Sequence, residues 1–142
     1  MAENFIGKGS YGHFMRIGEY PSFIGAKYIF IDPNKDSDRY TKEFKLLQKL
    51  RHPNIVRFYA QAKTIRDNLT YCVIHMEFCE RNSLRHVLND TELTYSKETV
   101  FFWAEHLACA LLCLKENQII HRDIKPENGG IFWKQHSGRL QM

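Results

Sequence analysis

The sequence predicts an α+β fold in which a β-rich first half, interrupted by one helix, precedes a helical second half. Three observations lead to this prediction. Apolar and aromatic runs of strand length, separated by turn residues, fill most of residues 5–78. One stretch among them repeats its apolar residues at helical spacing, and the helical period dominates after residue 82. We therefore expect five strands with one inserted helix, followed by further helices.

The first three strands are separated by glycine-rich and turn sequences. The breaks are Gly7 to Gly12 and Gly18-Glu19-Tyr20-Pro21, and Asp32-Pro33-Asn34 ends the third strand. The strands themselves are predicted at residues 5–6, 14–17 and 23–31.

The inserted helix begins at Ser37 or Asp38, because either side chain can serve as an N-cap. It ends before Pro53, because the residue preceding a proline avoids the helical region. Its buried side is predicted from Tyr40, Phe44, Leu47 and Leu50. Two more strands are predicted at residues 55–65 and 70–78, joined by a turn at 66–68.

Two helices are predicted in the second half. The shorter is capped by Asn82 or Ser83 and ends near Leu88, and the longer is capped by Ser96 and ends near residue 117. The aromatic run Phe101-Phe102-Trp103 is interpreted as core rather than as a recognition surface, or as an exposed patch where its packing partners are missing.

The composition bounds the class of protein. The chain has 142 residues, 44% of them apolar and 25% charged, which suits one folded domain. The net charge is only +4 and the basic residues are scattered, so we expect neither nucleic acid nor a membrane as partner. The cysteines Cys72, Cys79, Cys109 and Cys113 are interpreted as reduced thiols, which predicts a cytoplasmic protein.

The glycine cluster fits the pattern G-x-G-x-x-G at Gly7, Gly9 and Gly12. Glycines allow a backbone to approach phosphates closely, with its N–H groups aimed at them. A hairpin turn also requires glycine, and both interpretations remain open from this motif alone. Because the cluster lies between two strands, it does not match the strand-to-helix setting of a dinucleotide site.

Lys27 lies in the middle of an otherwise apolar strand. It is either a surface lysine of an edge strand or a cation held in a cleft to contact phosphate. A buried lysine needs a counter-charge, and Glu43 on the following helix shares a face with Leu47. Glu43 is equally compatible with a solvated surface position.

The most specific motif is His121-Arg122-Asp123-Ile124-Lys125-Pro126-Glu127-Asn128, which follows Ile119-Ile120. Phosphoryl transfer needs a carboxylate that orients and deprotonates a hydroxyl, a cation for the γ-phosphate and an amide oxygen for Mg²⁺. Asp123, Lys125 and Asn128 can supply these three groups in that order.

With these motifs, the chain resembles the eukaryotic protein kinase domain from its glycine-rich loop to its catalytic loop. The resemblance implies a five-stranded antiparallel sheet plus a helix, αC, followed by a truncated helical C-lobe. It implies an ATP-dependent serine/threonine kinase, because Lys125 follows Asp123 by two residues. Met76-Glu77-Phe78 and Asn82-Ser83-Leu84 are similar to the kinases that phosphorylate MAP-kinase kinases.

The resemblance also implies roles for individual residues. Asp123, Lys125, Lys27 and Glu43 would be catalytic, Asn128 would bind Mg²⁺, and ATP would be the nucleotide. The nucleotide site would comprise Ile6, Gly7, Gly9, Gly12, Phe14, Gly25, Lys27, Met76, Glu77 and Cys79. The implied division is an N-lobe at 1–76, a hinge at 77–80, a partial C-lobe at 81–128 and a divergent tail at 129–142.

Three departures from the family pattern affect these expectations. Phe14 stands where valine is usual above the adenine, and Gly25 stands where alanine is usual, so the pocket changes shape. The third departure is that no Asp-Phe-Gly follows Asn128. We expect little or no activity from the 142 residues alone. The alternative function is a non-catalytic module that binds nucleotide or a protein partner.

Overall fold

The computed structural model describes residues 3–9, 12–19, 22–33, 44–45, 47–79, 83–134 and 137–141. The chain divides into two compact units. We call Met1–Leu50 with Arg57–Phe78 the sheet unit, and Arg51–Val56 with Cys79–Met142 the loop unit. The predicted caps Ser37 and Asp38 lie outside the described residues, as does Glu43.

The sheet unit contains five strands in the spatial order β1-β2-β3-β5-β4. Every neighbouring pair is antiparallel, which confirms the predicted five-stranded antiparallel sheet. The strands are β1 (Glu3–Gly9), β2 (Gly12–Ile17), β3 (Ile24–Phe30), β4 (Phe58–Arg66) and β5 (Leu69–Glu77).

The predicted turn between the fourth and fifth strands is confirmed. Asp67 and Asn68 connect β4 to β5 with φ values of 50° and 61°. Two successive residues with positive φ match the right-handed twist of a hairpin, and aspartate and asparagine tolerate this conformation better than most residues.

The two faces of the sheet carry separate apolar clusters. On one face the buried residues Ala26, Tyr28 and Val73 pack with Met15, Ile17 and Tyr71. A second cluster comprises the buried residues Ile29, Ile31 and Cys72 with Ile74. The sheet is therefore packed on both sides, and its strand β3 is central to both clusters.

A helix between β3 and β4, α1, is described at residues 44–45 and 47–49. Phe44 is buried, and its ring meets Phe58 of β4 edge-on with the ring centroids 6.2 Å apart. The predicted helix in this part of the chain is confirmed for these residues.

The loop unit contains the two predicted helices, α2 (Leu84–Asn89) and α3 (Lys97–Glu116). The Ser96 hydroxyl accepts a hydrogen bond from the Thr99 N–H at 3.3 Å, so the predicted cap of the long helix is confirmed. Trp103 is buried against α2 and its own helix, whereas Phe101 and Phe102 are exposed. Only Trp103 is core; the core interpretation was wrong for Phe101 and Phe102, which fit the alternative of an exposed patch.

A two-stranded hairpin that the sequence analysis did not predict follows the catalytic motif. Strand β6 (Gly130–Lys134) pairs antiparallel with β7 (Ser137–Gln141), and β7 lies against α3. The apolar aromatic run at residues 131–133 is a strand signal that could have indicated it. Among the described residues, no helix is both long and apolar enough to cross a membrane.

Candidate functional site

The strand register brings four of the predicted nucleotide residues onto one face of the sheet unit. Phe14 of β2 is directly opposite Lys27 of β3, and Gly25 of β3 is opposite Met76 of β5. Alternate residues of a strand point to the same face, so Gly25 and Lys27 share a face with both partners. The Lys27 side chain is half-buried. The sheet therefore gathers residues that lie up to 62 positions apart in sequence.

Gly25 is in direct contact with the ring of Phe14. A Cβ atom at position 25 would lie 2.5 Å from Phe14 Cζ, 3.1 Å from Phe14 Cε2 and 3.4 Å from Met76 Cγ. Real side chains do not approach closer than about 3 Å, so the ring occupies the place that an alanine methyl group would take. The two departures from the kinase pattern are thus in contact with each other.

The Phe14 ring is itself fixed by aromatic neighbours. It lies nearly parallel to the ring of Phe78, at an interplanar angle of 12° and a centroid distance of 6.3 Å. Phe78 is buried and meets Phe23 edge-on at 6.2 Å. The guanidinium of Arg16 lies 4.3 Å from the centre of the Phe23 ring. These contacts hold Phe14 over Gly25.

The glycines of the G-x-G-x-x-G motif differ in their surroundings. Gly12 has a φ of 145°, and a Cβ atom there would lie 1.9 Å from the carbonyl oxygen of Tyr28. Glycine is therefore required at position 12 by close packing of β2 on β3, quite apart from any ligand. A Cβ atom at Gly7 would meet nothing within 4 Å. Ile6, beside it in β1, is exposed.

The hinge residue Glu77 ends β5. Its N–H donates to the carbonyl oxygen of Arg57 at 2.8 Å, and its carboxylate accepts from the Arg57 N–H at 3.3 Å. The N–H of Glu77 is thereby committed to the sheet, so a base contact through the Glu77 backbone would use its carbonyl. Cys79, which is half-buried, belongs to the loop unit.

The loop unit holds the three predicted catalytic-loop residues in mutual contact. Lys125 Nζ lies 2.9 Å from Asp123 Oδ2, and Asn128 Nδ2 donates to the same oxygen at 2.8 Å. Asn128 Nδ2 also donates to the Asp123 carbonyl at 2.8 Å. The hydrogen bond from Lys125, followed by that from Asn128, lowers the pKa of Asp123 below its ordinary value of 3.8. Asp123 is therefore a carboxylate near neutral pH.

Helix α2 fixes the end of this loop. The Leu84 N–H donates to the carbonyl of Gly129 at 2.6 Å, and the Arg85 N–H donates to the carbonyl of Pro126 at 3.1 Å. These two N–H groups belong to the first turn of α2, where no intrahelical acceptor exists for them. The start of a helix thus supplies donors that hold the loop.

An ion pair reinforces the same connection. Arg85 Nε lies 2.8 Å from the carboxylate of Glu127, with both side chains about half exposed. The sequence analysis gave neither residue a role, since their separation of 42 positions offers no local signal. The pair lies on the surface, where solvent screens it, so it positions the loop more than it stabilises the fold.

His121 is a further residue of the motif whose role the sequence analysis left unassigned. Its Nδ1 accepts a hydrogen bond from the Asp123 N–H at 3.3 Å. Burial lowers the pKa of His121 below its ordinary value of 6.5, although the Asp123 charge acts in the opposite direction. A neutral imidazole therefore supports the backbone of Asp123, the predicted base.

The donor set of the loop fits a metal that also binds phosphate. Asn128 uses its amide nitrogen on Asp123, which leaves the amide oxygen as the atom with ligand chemistry. In the described part of the chain, no group of three or more His, Cys, Asp or Glu could hold a metal ion. A Mg²⁺ ion bound here would therefore take most of its oxygen ligands from phosphate and water.

Comparison with known proteins agrees with the motifs. The family model "Protein kinase domain" matches residues 2–140. The match extends through β6 and most of β7, so it includes part of the segment expected to form a divergent tail.

Several similar curated proteins are kinases by name. A zebrafish (Danio rerio) inhibitor of nuclear factor kappa-B kinase subunit alpha is 28% identical over 95% of this chain and 18% of its own length. Serine/threonine-protein kinase pakG of Dictyostelium discoideum is 34% identical over 87% of this chain and 10% of its length. The MAP kinase kinase kinase SSK2 of Saccharomyces cerevisiae is 32% identical over 88% of this chain and 8% of its length.

These relatives are much longer proteins, and the chain spans less than a fifth of each of the three. The relatives share with this chain the domain that binds ATP and a divalent metal in the family as a whole. The five-stranded antiparallel sheet, the assembled Asp123-Lys125-Asn128 loop and the family match over residues 2–140 lead to one conclusion: this chain belongs to the protein kinase domain family.

Proposed function

We propose that this chain is the nucleotide-binding and catalytic-loop part of a protein serine/threonine kinase. The observation that carries the proposal is the arrangement in which Lys125 and Asn128 both contact the carboxylate of Asp123. This arrangement combines a base, a cation and an amide oxygen within one loop. The reaction is transfer of the γ-phosphoryl group of ATP to a serine or threonine hydroxyl of a protein substrate.

Asp123 acts on the substrate hydroxyl in this proposal. It is ionised near neutral pH, so it can orient the hydroxyl and accept the proton as the oxygen attacks phosphorus. One O–P bond forms to the substrate and the O–P bond to the leaving ADP breaks. The His121 contact to the Asp123 N–H holds the backbone of the base in place.

Two lysines supply positive charge to the phosphates. Lys125 lies beside Asp123, where it neutralises charge on the transferred phosphoryl group. Lys27, half-buried in the sheet, contacts the other phosphates of ATP. Glu43 is proposed as its counter-charge, on the strength of the sequence pattern alone. The glycine-rich loop, with Gly7, Gly9 and Gly12, covers the phosphates.

Asn128 is the proposed Mg²⁺ ligand, through its amide oxygen. Mg²⁺ supplies charge neutralisation at the phosphates when it is bound. The Asn128 N–H and side-chain nitrogen are both bonded within the loop, so the amide oxygen is presented in one orientation.

We place the protein in the cytoplasm, because its four cysteines are free thiols of the kind that a reducing compartment maintains.

Nucleotide binding tests the first half of this proposal. The purified 142-residue chain is titrated with ATP and Mg²⁺ by calorimetry, beside the variants Lys27→Ala and Lys63→Ala. Lys63 is an exposed lysine on β4 and is the matched control. We expect Lys27→Ala to weaken ATP binding at least tenfold and Lys63→Ala to leave it unchanged. Equal binding by all three proteins contradicts the proposed site.

Phosphoryl transfer tests the second half. The chain is incubated with radiolabelled ATP, Mg²⁺ and a mixture of serine- and threonine-containing peptides, and Asp123→Asn serves as the inactive comparison. Loss of the base is expected to reduce any transfer by about 10²-fold or more. Binding that depends on Lys27 without any transfer would support the alternative, a nucleotide-binding module that lacks turnover. Transfer that Asp123→Asn does not reduce would overturn the assignment of the base.

A further inference from the structure

We propose that Phe14 and Gly25 form a matched pair that fills the base side of the nucleotide site, so that the site holds nucleoside triphosphates mainly by their phosphates and discriminates little between bases. This inference rests on the proposed nucleotide-binding function and concerns the specificity of the same site. It is carried by contacts within the sheet unit alone.

The first step is the fit between the two residues. Phe14 Cζ lies 2.5 Å from the position of a Cβ atom on Gly25, and Gly25 itself is buried. The ring can occupy this place only because residue 25 has no side chain. Phe14 therefore cannot be exchanged for the usual valine, nor Gly25 for the usual alanine, without a change at the other residue.

The second step is that the ring is held where it lies. Phe14 is nearly parallel to the buried ring of Phe78, which directly follows the last residue of β5. Phe23 meets the Phe78 ring edge-on, and the Arg16 guanidinium lies over the Phe23 ring. Moving Phe14 aside would separate stacked rings and expose apolar surface, which opposes opening of the base site.

The third step concerns what remains available to a ligand. Lys27 is directly opposite Phe14 in the register, so a cation that can neutralise phosphate lies next to the ring. The space directly over Gly25 is occupied by the protein's own Phe14 ring, at the position that the kinase resemblance assigns to the base side of the site. Phosphate contacts therefore persist while base contacts are reduced, and affinity becomes similar for different bases.

A thermal-unfolding cycle tests the matched pair. The four proteins are the 142-residue chain, Phe14→Val, Gly25→Ala and Phe14→Val/Gly25→Ala. Each single variant is expected to lower Tm, on the order of 5 °C, by cavity formation or by overpacking. The double variant is expected to lose less than the sum of the two losses. Strictly additive losses, or an unchanged Tm for Gly25→Ala, would overturn the inference.

Nucleotide titrations test the specificity. For the unmodified chain we expect dissociation constants for ATP, GTP and inorganic triphosphate within about threefold of one another. For the double variant we expect ATP to bind at least tenfold more tightly than before, with inorganic triphosphate unchanged. Lys27-dependent binding that already favours ATP tenfold over GTP in the unmodified chain overturns the inference alone. Absence of nucleotide and triphosphate binding in every variant overturns the proposed function, and the inference with it.

Discussion

The two units assemble their candidate functional residues in opposite ways. In the sheet unit, Phe14, Gly25, Lys27 and Met76 come from three strands and meet because of the strand register. In the loop unit, Asp123, Lys125 and Asn128 lie within six residues and meet through hydrogen bonds of the loop itself. The first arrangement depends on long-range packing, and the second depends on local backbone geometry.

The two sites are therefore sensitive to different substitutions. A site built by register is sensitive to any residue that sets the spacing of the strands, even one far from the ligand. A site built by a loop is sensitive to whatever anchors the loop, here the first turn of α2.

The largest effect is expected from Trp103→Ala in the loop unit. Trp103 is 8% exposed and packs on Leu84 and Val87 of α2, whose first turn holds the catalytic loop. Removing the indole should lower the free energy of unfolding by about 3–5 kcal/mol. The measurement is urea unfolding followed by circular dichroism.

The neighbouring residue provides the control for that experiment. Phe102 is 58% exposed on the same helix, so Phe102→Ala should change the free energy of unfolding by less than about 0.5 kcal/mol. Similar losses for the two variants would show that α3 does not support the loop through Trp103.

The next largest loss of stability is expected from Gly12→Ala in the sheet unit. A methyl group there would meet the Tyr28 carbonyl oxygen at 1.9 Å, in a backbone conformation with a φ of 145°. The change should cost about 2–4 kcal/mol, because both the clash and the backbone strain act in the same direction. Gly7→Ala, with nothing within 4 Å of the added atom, should cost less than about 0.5 kcal/mol in the same unfolding assay. An unchanged free energy of unfolding for Gly12→Ala would contradict the close approach of β2 and β3.

A smaller, pH-dependent effect is expected from His121. Its pKa in the folded chain is below the ordinary 6.5, so the unfolded chain takes up the proton first as the pH falls. The stabilisation from neutral His121 is complete above pH 6.5 and is lost as the pH falls through 6.5 toward the folded pKa. His121→Gln should therefore flatten the fall in stability between pH 8 and pH 5, measured by denaturant unfolding. Parallel curves for the two proteins would refute the burial of the imidazole.

The smallest loss of stability is expected from Arg66→Ala in the sheet unit. Arg66 Nη2 contacts the Glu3 carboxylate and the Tyr28 hydroxyl, each at 2.9 Å, which connects β4, β1 and β3. The ion pair is about one-third exposed, so Arg66→Ala should cost only about 0.2–1 kcal/mol at low salt, and less at high salt. Lys63→Ala on the same strand is the control. A loss that does not respond to salt would mean that the contact acts by packing instead.

Much of the fold could be predicted from the sequence because its signals are local. The Asp67-Asn68 turn, the Ser96 cap and the apolar runs of the strands are chemical features of a few adjacent residues, and the structure confirms them. The β6–β7 hairpin was missed, since its short apolar run gives a weak signal next to a dominant helical region. The sequence did not decide which residue of the run 101–103 is buried, because that depends on where α2 packs.

The sequence by itself determined the family, the order of the elements from β1 to α3, and the short spacing of the residues proposed for catalysis. These follow from residue types at short fixed spacing, where a loop of six residues leaves few alternatives for Asp123, Lys125 and Asn128. Only the tertiary structure decided that Phe14 lies on Gly25 and that Arg85 pairs with Glu127. The reason is physical: strand register and helix packing bring together side chains whose separation along the chain carries no record of their contact.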